Sequence, residues 1–132
     1  MLEFTEEVVG KVEVKLEMKI TQSDVENVIV SSFEGGSNYW LALDNTQPEW
    51  ADKPKDEPLS TWATKLLLDG KTVHLYDRED PEERWEMTLE KVINGIQKYV
   101  AKGGRRADKD YWDAESADCI MQYGLFDKLV YG

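Results

Sequence analysis

Between Lys11 and Thr21 apolar and charged residues alternate at every position, with Val12, Val14, Leu16, Met18 and Ile20 on one side and Lys11, Glu13, Lys15, Glu17 and Lys19 on the other. A period of two is that of a half-buried β-strand, the first element predicted. At Thr21 the period changes. Thr21 and Asp24 have the spacing of a capping box, and Val25, Val28, Ile29 and Phe33 follow at helical intervals. Gly35 is expected to stop this helix in the left-handed conformation. Tyr39 to Leu43 fits either a second short helix or an extended arm.

The stretch from Asn45 to Pro58 contains Pro48, Pro54 and Pro58 and is expected to be an irregular surface loop. Ser60 to Leu68 reads as a helix with Trp62 and Leu66 on one face, ended by Asp69-Gly70; a strand over Lys65 to Leu68 competes with it. Lys71 to Asp77 and Arg84 to Thr88 read as strands around the turn Asp80-Pro81-Glu82-Glu83, with Val73 and Leu75 in phase on one and Trp85 and Met87 on the other. The Lys11 to Thr21 strand is expected to join this pair. Leu89, Val92, Ile93, Ile96 and Val100 define a helix capped by Thr88 and stopped by Gly103-Gly104. A last helix begins near Ala114, with Ala117, Ile120, Met121, Gly124 and Leu125 inward, and Leu129-Val130-Tyr131 is long enough for a terminal strand. The expected fold is a single α+β domain over residues 1–132, in which an antiparallel sheet of three to four strands packs against three to four helices, with a proline-rich loop at about 45–58.

Charge narrows the partners. Sixteen basic and 27 acidic residues leave a net charge of −11 over 132 residues, which opposes direct binding to nucleic acid or to anionic membranes and favours basic partners. The acidic opening Met1 to Glu7 is unlike a secretory leader, no apolar run reaches membrane-spanning length, and the single Cys119 fits a reducing cytoplasm. No metal site, cofactor motif or catalytic constellation is expected: His74 and Cys119 are alone of their types, and no glycine-rich phosphate cradle precedes a helix.

Several runs carry a likeness beyond composition. They are Glu34-Gly35-Gly36 with Tyr39-Trp40, Leu75-Tyr76-Asp77 through Trp85-Glu86, Thr88-Leu89-Glu90-Lys91, and Ala117-Asp118-Cys119-Ile120 with Gln122-Tyr123, Leu125-Phe126 and Val130-Tyr131-Gly132. Together they resemble a family of small uncharacterised proteins encoded by bacteriophages, prophages and mobile elements. The likeness spans most of the chain apart from the proline-rich loop and Gly103 to Trp112. It implies a phage accessory protein acting in the bacterial host cytoplasm, a class rich in inhibitors of host defence.

Two constellations compete for function. Asp77, Glu79, Asp80, Glu82, Glu83 and Glu86 crowd one hairpin, and Asp108, Asp110 and Asp113 flank Trp112 in another segment. On one face they would imitate a phosphate backbone and occupy the basic groove of a host defence protein, as a non-enzymatic, anti-CRISPR-like inhibitor. The alternative is a pocket for a signalling nucleotide, with Glu34, Gly35, Gly36, Tyr39, Trp40 and Tyr123 around the base and Arg105 or Arg106 clamping phosphate. Pockets at the interfaces of a homo-oligomer would favour this second reading.

Overall fold

The helix after Thr21 forms as its pattern requires. In the computed structural model, which describes residues 3–15 and 17–132, α1 (Gln22–Ser31) opens on a complete capping box. The Thr21 hydroxyl accepts from the Asp24 amide at 3.1 Å, and the Asp24 carboxylate accepts from the Thr21 amide at 2.8 Å. Val25, Val28 and Ile29 are buried.

Its end departs from expectation. Neither Gly35 nor Gly36 takes a left-handed conformation; α1 widens into a π-helical turn, Ser32–Gly36, closed by the Ser37 amide on the Ser32 carbonyl at 2.8 Å. Glycine is required at 36 for a different reason. A Cβ there would lie 1.9 Å from the Ala114 carbonyl oxygen, so the missing side chain is what lets this turn meet the last helix.

Tyr39 to Leu43 resolves as a turn followed by β1 (Leu41–Leu43), which pairs antiparallel with β2 (Val73–Asp77), itself paired antiparallel with β3 (Arg84–Met87). Leu43 lies opposite Leu75, and Leu75 opposite Trp85. The inner face carries Val73, Leu75 and Met87, all buried, while His74, Tyr76, Arg84 and Glu86 occupy the other. This is the α+β architecture the pattern implied, with three strands and four helices.

The first strand is the main correction. Among the described residues Lys11 to Thr21 forms no strand, and Leu16 lies outside them; Val12 is 90% and Val14 72% exposed. Alternation specifies which face a strand would bury, but a strand also needs a neighbour to complete its hydrogen bonds. β2 takes that neighbour from β1, a run too short to show any period. Only Met18 and Ile20 are partly buried, in a groove beside Ile93, Ile96 and Val100. Leu129 to Tyr131 likewise forms no strand.

The remaining helices are α2 (Leu59–Leu68), α3 (Leu89–Val100) and α4 (Ala114–Phe126), the last two capped by Thr88 and Asp113. The backbones of α3 and α4 approach closely because a Cβ on Gly95 would stand 2.3 Å from the Ile120 carbonyl oxygen and one on Gly124 2.6 Å from that of Lys91. The proline-rich loop contains one short 3-10 turn, Pro48–Trp50, and is pinned rather than free. Trp50 is buried, the Trp62 indole donates to the Glu49 carbonyl at 3.2 Å, and the Glu49 carboxylate meets His74 Nδ1 at 2.7 Å. No helix among the described residues is long and apolar enough to cross a membrane.

Candidate functional site: an acidic hairpin on a buried anchor

Asp118 is the polar centre of the molecule. It lies on the buried face of α4, and its carboxylate accepts from Ser37 Oγ at 2.8 Å, Trp40 Nε1 at 2.8 Å, Tyr39 Oη at 3.0 Å and Gln122 Nε2 at 3.1 Å. Four donors and no cation hold this buried group. One turn on, Gln122 Oε1 accepts from the amides of Val130 at 2.7 Å and Tyr131 at 2.8 Å, fastening the C-terminal segment to α4. The fastening lays the Tyr131 ring on Trp40, with centroids 4.5 Å apart and planes 9° from parallel.

This arrangement revises the proposed nucleotide pocket. Trp40 is only 2% exposed, with one face on Tyr131 and Trp85 and Phe126 packed around it, so no ring can stack on it from solvent. Gly36 faces Ala114, leaving the turn no room to cradle a ligand. Glu34 accepts from Ser60 Oγ at 2.9 Å and lines a different groove, with Arg78. Tyr39 remains half exposed, but its hydroxyl is committed to Asp118 and its pKa is pushed up to about 12 by burial and by that carboxylate.

The same stack reaches the acidic hairpin. Tyr131 Oη donates to Asp77 Oδ2 at 2.7 Å, and the Arg78 amide donates to the Trp40 carbonyl at 2.9 Å, so both strands of contact converge on the root of the β2–β3 turn. Asp77 also accepts from the Glu79 amide at 2.8 Å; these bonds, that from Tyr131 foremost, hold its carboxyl below the usual range. Beyond the root, Glu79, Asp80, Glu82 and Glu83 are exposed, and none is ion-paired among the described residues. Of the two arginines within the hairpin, Arg84 is engaged by buried Asp44 at 2.7 Å, and Arg78 is exposed beside Glu79. Glu86 stands apart on the outer sheet face, 3.6 Å from His74 Nε2.

The second acidic segment serves the fold. Asp108 accepts from the Asp110 amide at 3.0 Å, Asp113 caps α4 by accepting from the Ser116 amide at 2.9 Å, and Lys109 crosses to Asp24 at 2.7 Å. Trp112 is half-buried, donating to the Arg106 carbonyl at 2.9 Å with its ring edge-on to Tyr99, so it is no exposed anchor. Asp108, Asp110 and Asp113 are exposed, as are Glu79, Asp80, Glu82 and Glu83, and among the described residues no hydrogen bond or ion pair joins the two segments.

Lys102, Arg105 and Arg106 line a cleft of about 650 Å³ with Tyr99, Tyr111 and Cys119. Arg105 lies 5.1 Å above the Tyr111 ring and Arg106 5.9 Å from that of Tyr99, while Tyr123 sits beneath Lys102 at 5.7 Å. None of these cations is ion-paired among the described residues. The Cys119 thiol is pushed up by burial and by the neighbouring Asp118, which keeps it protonated and unreactive. Among the described residues no cluster of His, Cys, Asp or Glu could hold a metal ion.

The sequence also counts Asp118 with the second acidic segment, but it is buried and faces inward, and Gln122 as its support was not anticipated although both lie in the quoted runs. Their spacing of four on a helix with aromatic partners was the available sign. No protein-family model matches this chain, and no curated protein or solved structure is significantly similar to it.

Proposed function

We propose that this chain is a non-enzymatic inhibitor of phage type that occupies the basic groove of a host nucleic-acid-binding defence protein through its β2–β3 hairpin. The observation that carries this reading is the turn Glu79-Asp80-Glu82-Glu83. Its four exposed carboxylates are not ion-paired among the described residues, and its root is fixed by Tyr131 and the Trp40 carbonyl. Leaving like charges together costs stability unless something outside the molecule uses them, and fixing their root lowers the entropy lost on binding. The field they create speeds encounter with a cationic groove, and displacement of nucleic acid follows from occupying the same groove.

The test is a parallel capture from a bacterial lysate with the wild type and with Glu79→Gln/Asp80→Asn/Glu82→Gln/Glu83→Gln. The expected result is a nucleic-acid-binding protein retained by the wild type, released by salt or a competing oligonucleotide, and absent from the variant. Equal retention by both proteins refutes the reading.

A second reading has its own observation in the unpaired Lys102, Arg105 and Arg106 around the aromatic cleft, which suit a small phosphorylated ligand. It predicts a thermal shift with nucleotide that disappears in Arg105→Ala/Arg106→Ala. No shift with the wild type would discard it.

A further inference from the structure

The best-patterned strand sequence in the chain is left without a partner, while the sheet of order β1-β2-β3 ends on two edges, of which β3 is the longer. Val8, Val9, Val12 and Val14 are between 72% and 98% exposed on an arm without regular secondary structure among its described residues, whose partly buried residues Met18 and Ile20 lie against α3. Such a row of apolar side chains on an unpaired segment is what β-addition uses and what an isolated surface avoids.

β3 supplies the matching edge. It is bonded to β2 alone. The Asp77 amide on the Glu83 carbonyl sets the phase of that ladder, so Leu75–Trp85 and Val73–Met87 exchange hydrogen bonds and the backbone groups of Arg84 and Glu86 point away from β2. The Glu86 carbonyl is met only by the Lys91 ammonium, at 2.7 Å, a side chain standing where a strand amide would donate. Beside this edge lies a groove of about 470 Å³ whose apolar lining is Leu75, Trp85 and Leu125.

We propose that the arm of a second copy of this chain adds to β3 as a fourth, antiparallel strand, and that two copies exchange arms reciprocally. Charge and pleat allow two registers four residues apart, and the one taken is the one that stays clear of Met18, which packs against α3. With Lys11 opposite Glu86, Glu13 falls opposite Arg84 and Val12 opposite Trp85, so opposite charges meet on the outer face and one apolar pair, Val12 with Trp85, forms over the groove, while Val14 comes to lie beside Glu83 at the hairpin end. A slip of two residues sets Glu13 against Glu86 and Lys15 against Arg84, and a slip of one turns the valines to water. The occupant is a second copy because the arm's alternating charges complement this edge, while its own copy leaves the arm exposed. A reciprocal exchange closes as a two-fold dimer.

Light scattering after gel filtration tests this. The wild type is expected as a dimer at high protein concentration, and Val12→Asp/Val14→Asp, which alters only exposed positions of the single chain, as a folded monomer by circular dichroism. Lys11→Glu is expected to weaken the dimer roughly tenfold and Lys11→Glu/Glu86→Lys to restore it. A monomeric wild type, a dimer that survives Val12→Asp/Val14→Asp, or no restoration by Glu86→Lys overturns the proposal.

Discussion

Asp118 and the Glu79 to Glu83 turn lie at two ends of one line of contacts, running from Asp118 through Trp40 and Tyr131 to Asp77. The same chemical group does opposite things at each end. Inside, one carboxylate is surrounded by four donors and organises a turn, a helix and the C-terminal segment. Outside, four carboxylates are exposed, and their field is directed at solvent. The lesson is that acidity alone does not mark a binding surface: the Asp118 charge is spent on four internal donors, whereas none of the four turn carboxylates is ion-paired among the described residues.

The sharpest way to break the contrast is at its buried end. Asp118→Ala leaves the buried Ser37 and Trp40 donors without an acceptor, and calorimetry is expected to show a loss of about 3 kcal/mol or more. Gly36→Ala, which drives a methyl into the Ala114 carbonyl, is expected to cost about 1–3 kcal/mol in denaturant unfolding.

A pH series separates the two ends without mutation. Tyr39 and Tyr131 have pKa values raised to about 12 by burial and by Asp118 and Asp77, so the stability they lend is complete below 10 and is lost as pH rises from 10 towards 12. Asp44, Asp77 and Asp113 are held below the ordinary carboxylate value of 3.8 by their hydrogen bonds, so their contribution is present above it and disappears as pH falls beneath it. Thermal melts across both windows read the two limbs; a flat alkaline limb would mean that the tyrosine hydroxyls do not secure the C-terminal segment. The smallest effect is expected at the exposed end. Neutralising Glu79, Asp80, Glu82 and Glu83 together should move stability by no more than about 0.5 kcal/mol, because none is ion-paired among the described residues and the one hydrogen bond their carboxylates accept, from the Glu82 amide to Asp80, is exposed.

Much of the scaffold was legible in the sequence. The capping box at Thr21, the phase of Val73 and Leu75 against Trp85 and Met87, and the apolar stripe of α3 are local patterns, and each produced the element it implied. What escaped depends on distant partners. β1 exists because β2 lies alongside, whereas the described residues of the Lys11 to Thr21 run form no strand, because alternation by itself supplies no hydrogen-bonding neighbour. Gly36 was recognisable as special, but the reason is the Ala114 backbone, some eighty residues away. The hairpin's acidic residues were readable from their crowding; that Arg84 turns to Asp44 was not.

The account rests on the hairpin carboxylates being the part of the surface that a basic partner holds. The most direct measurement is a binding titration of the captured partner against wild type and the quadruple neutralised variant over a series of salt concentrations. The account predicts that wild-type affinity falls steeply with salt and that the variant binds weakly with little salt dependence. Superimposable curves for the two proteins would contradict it.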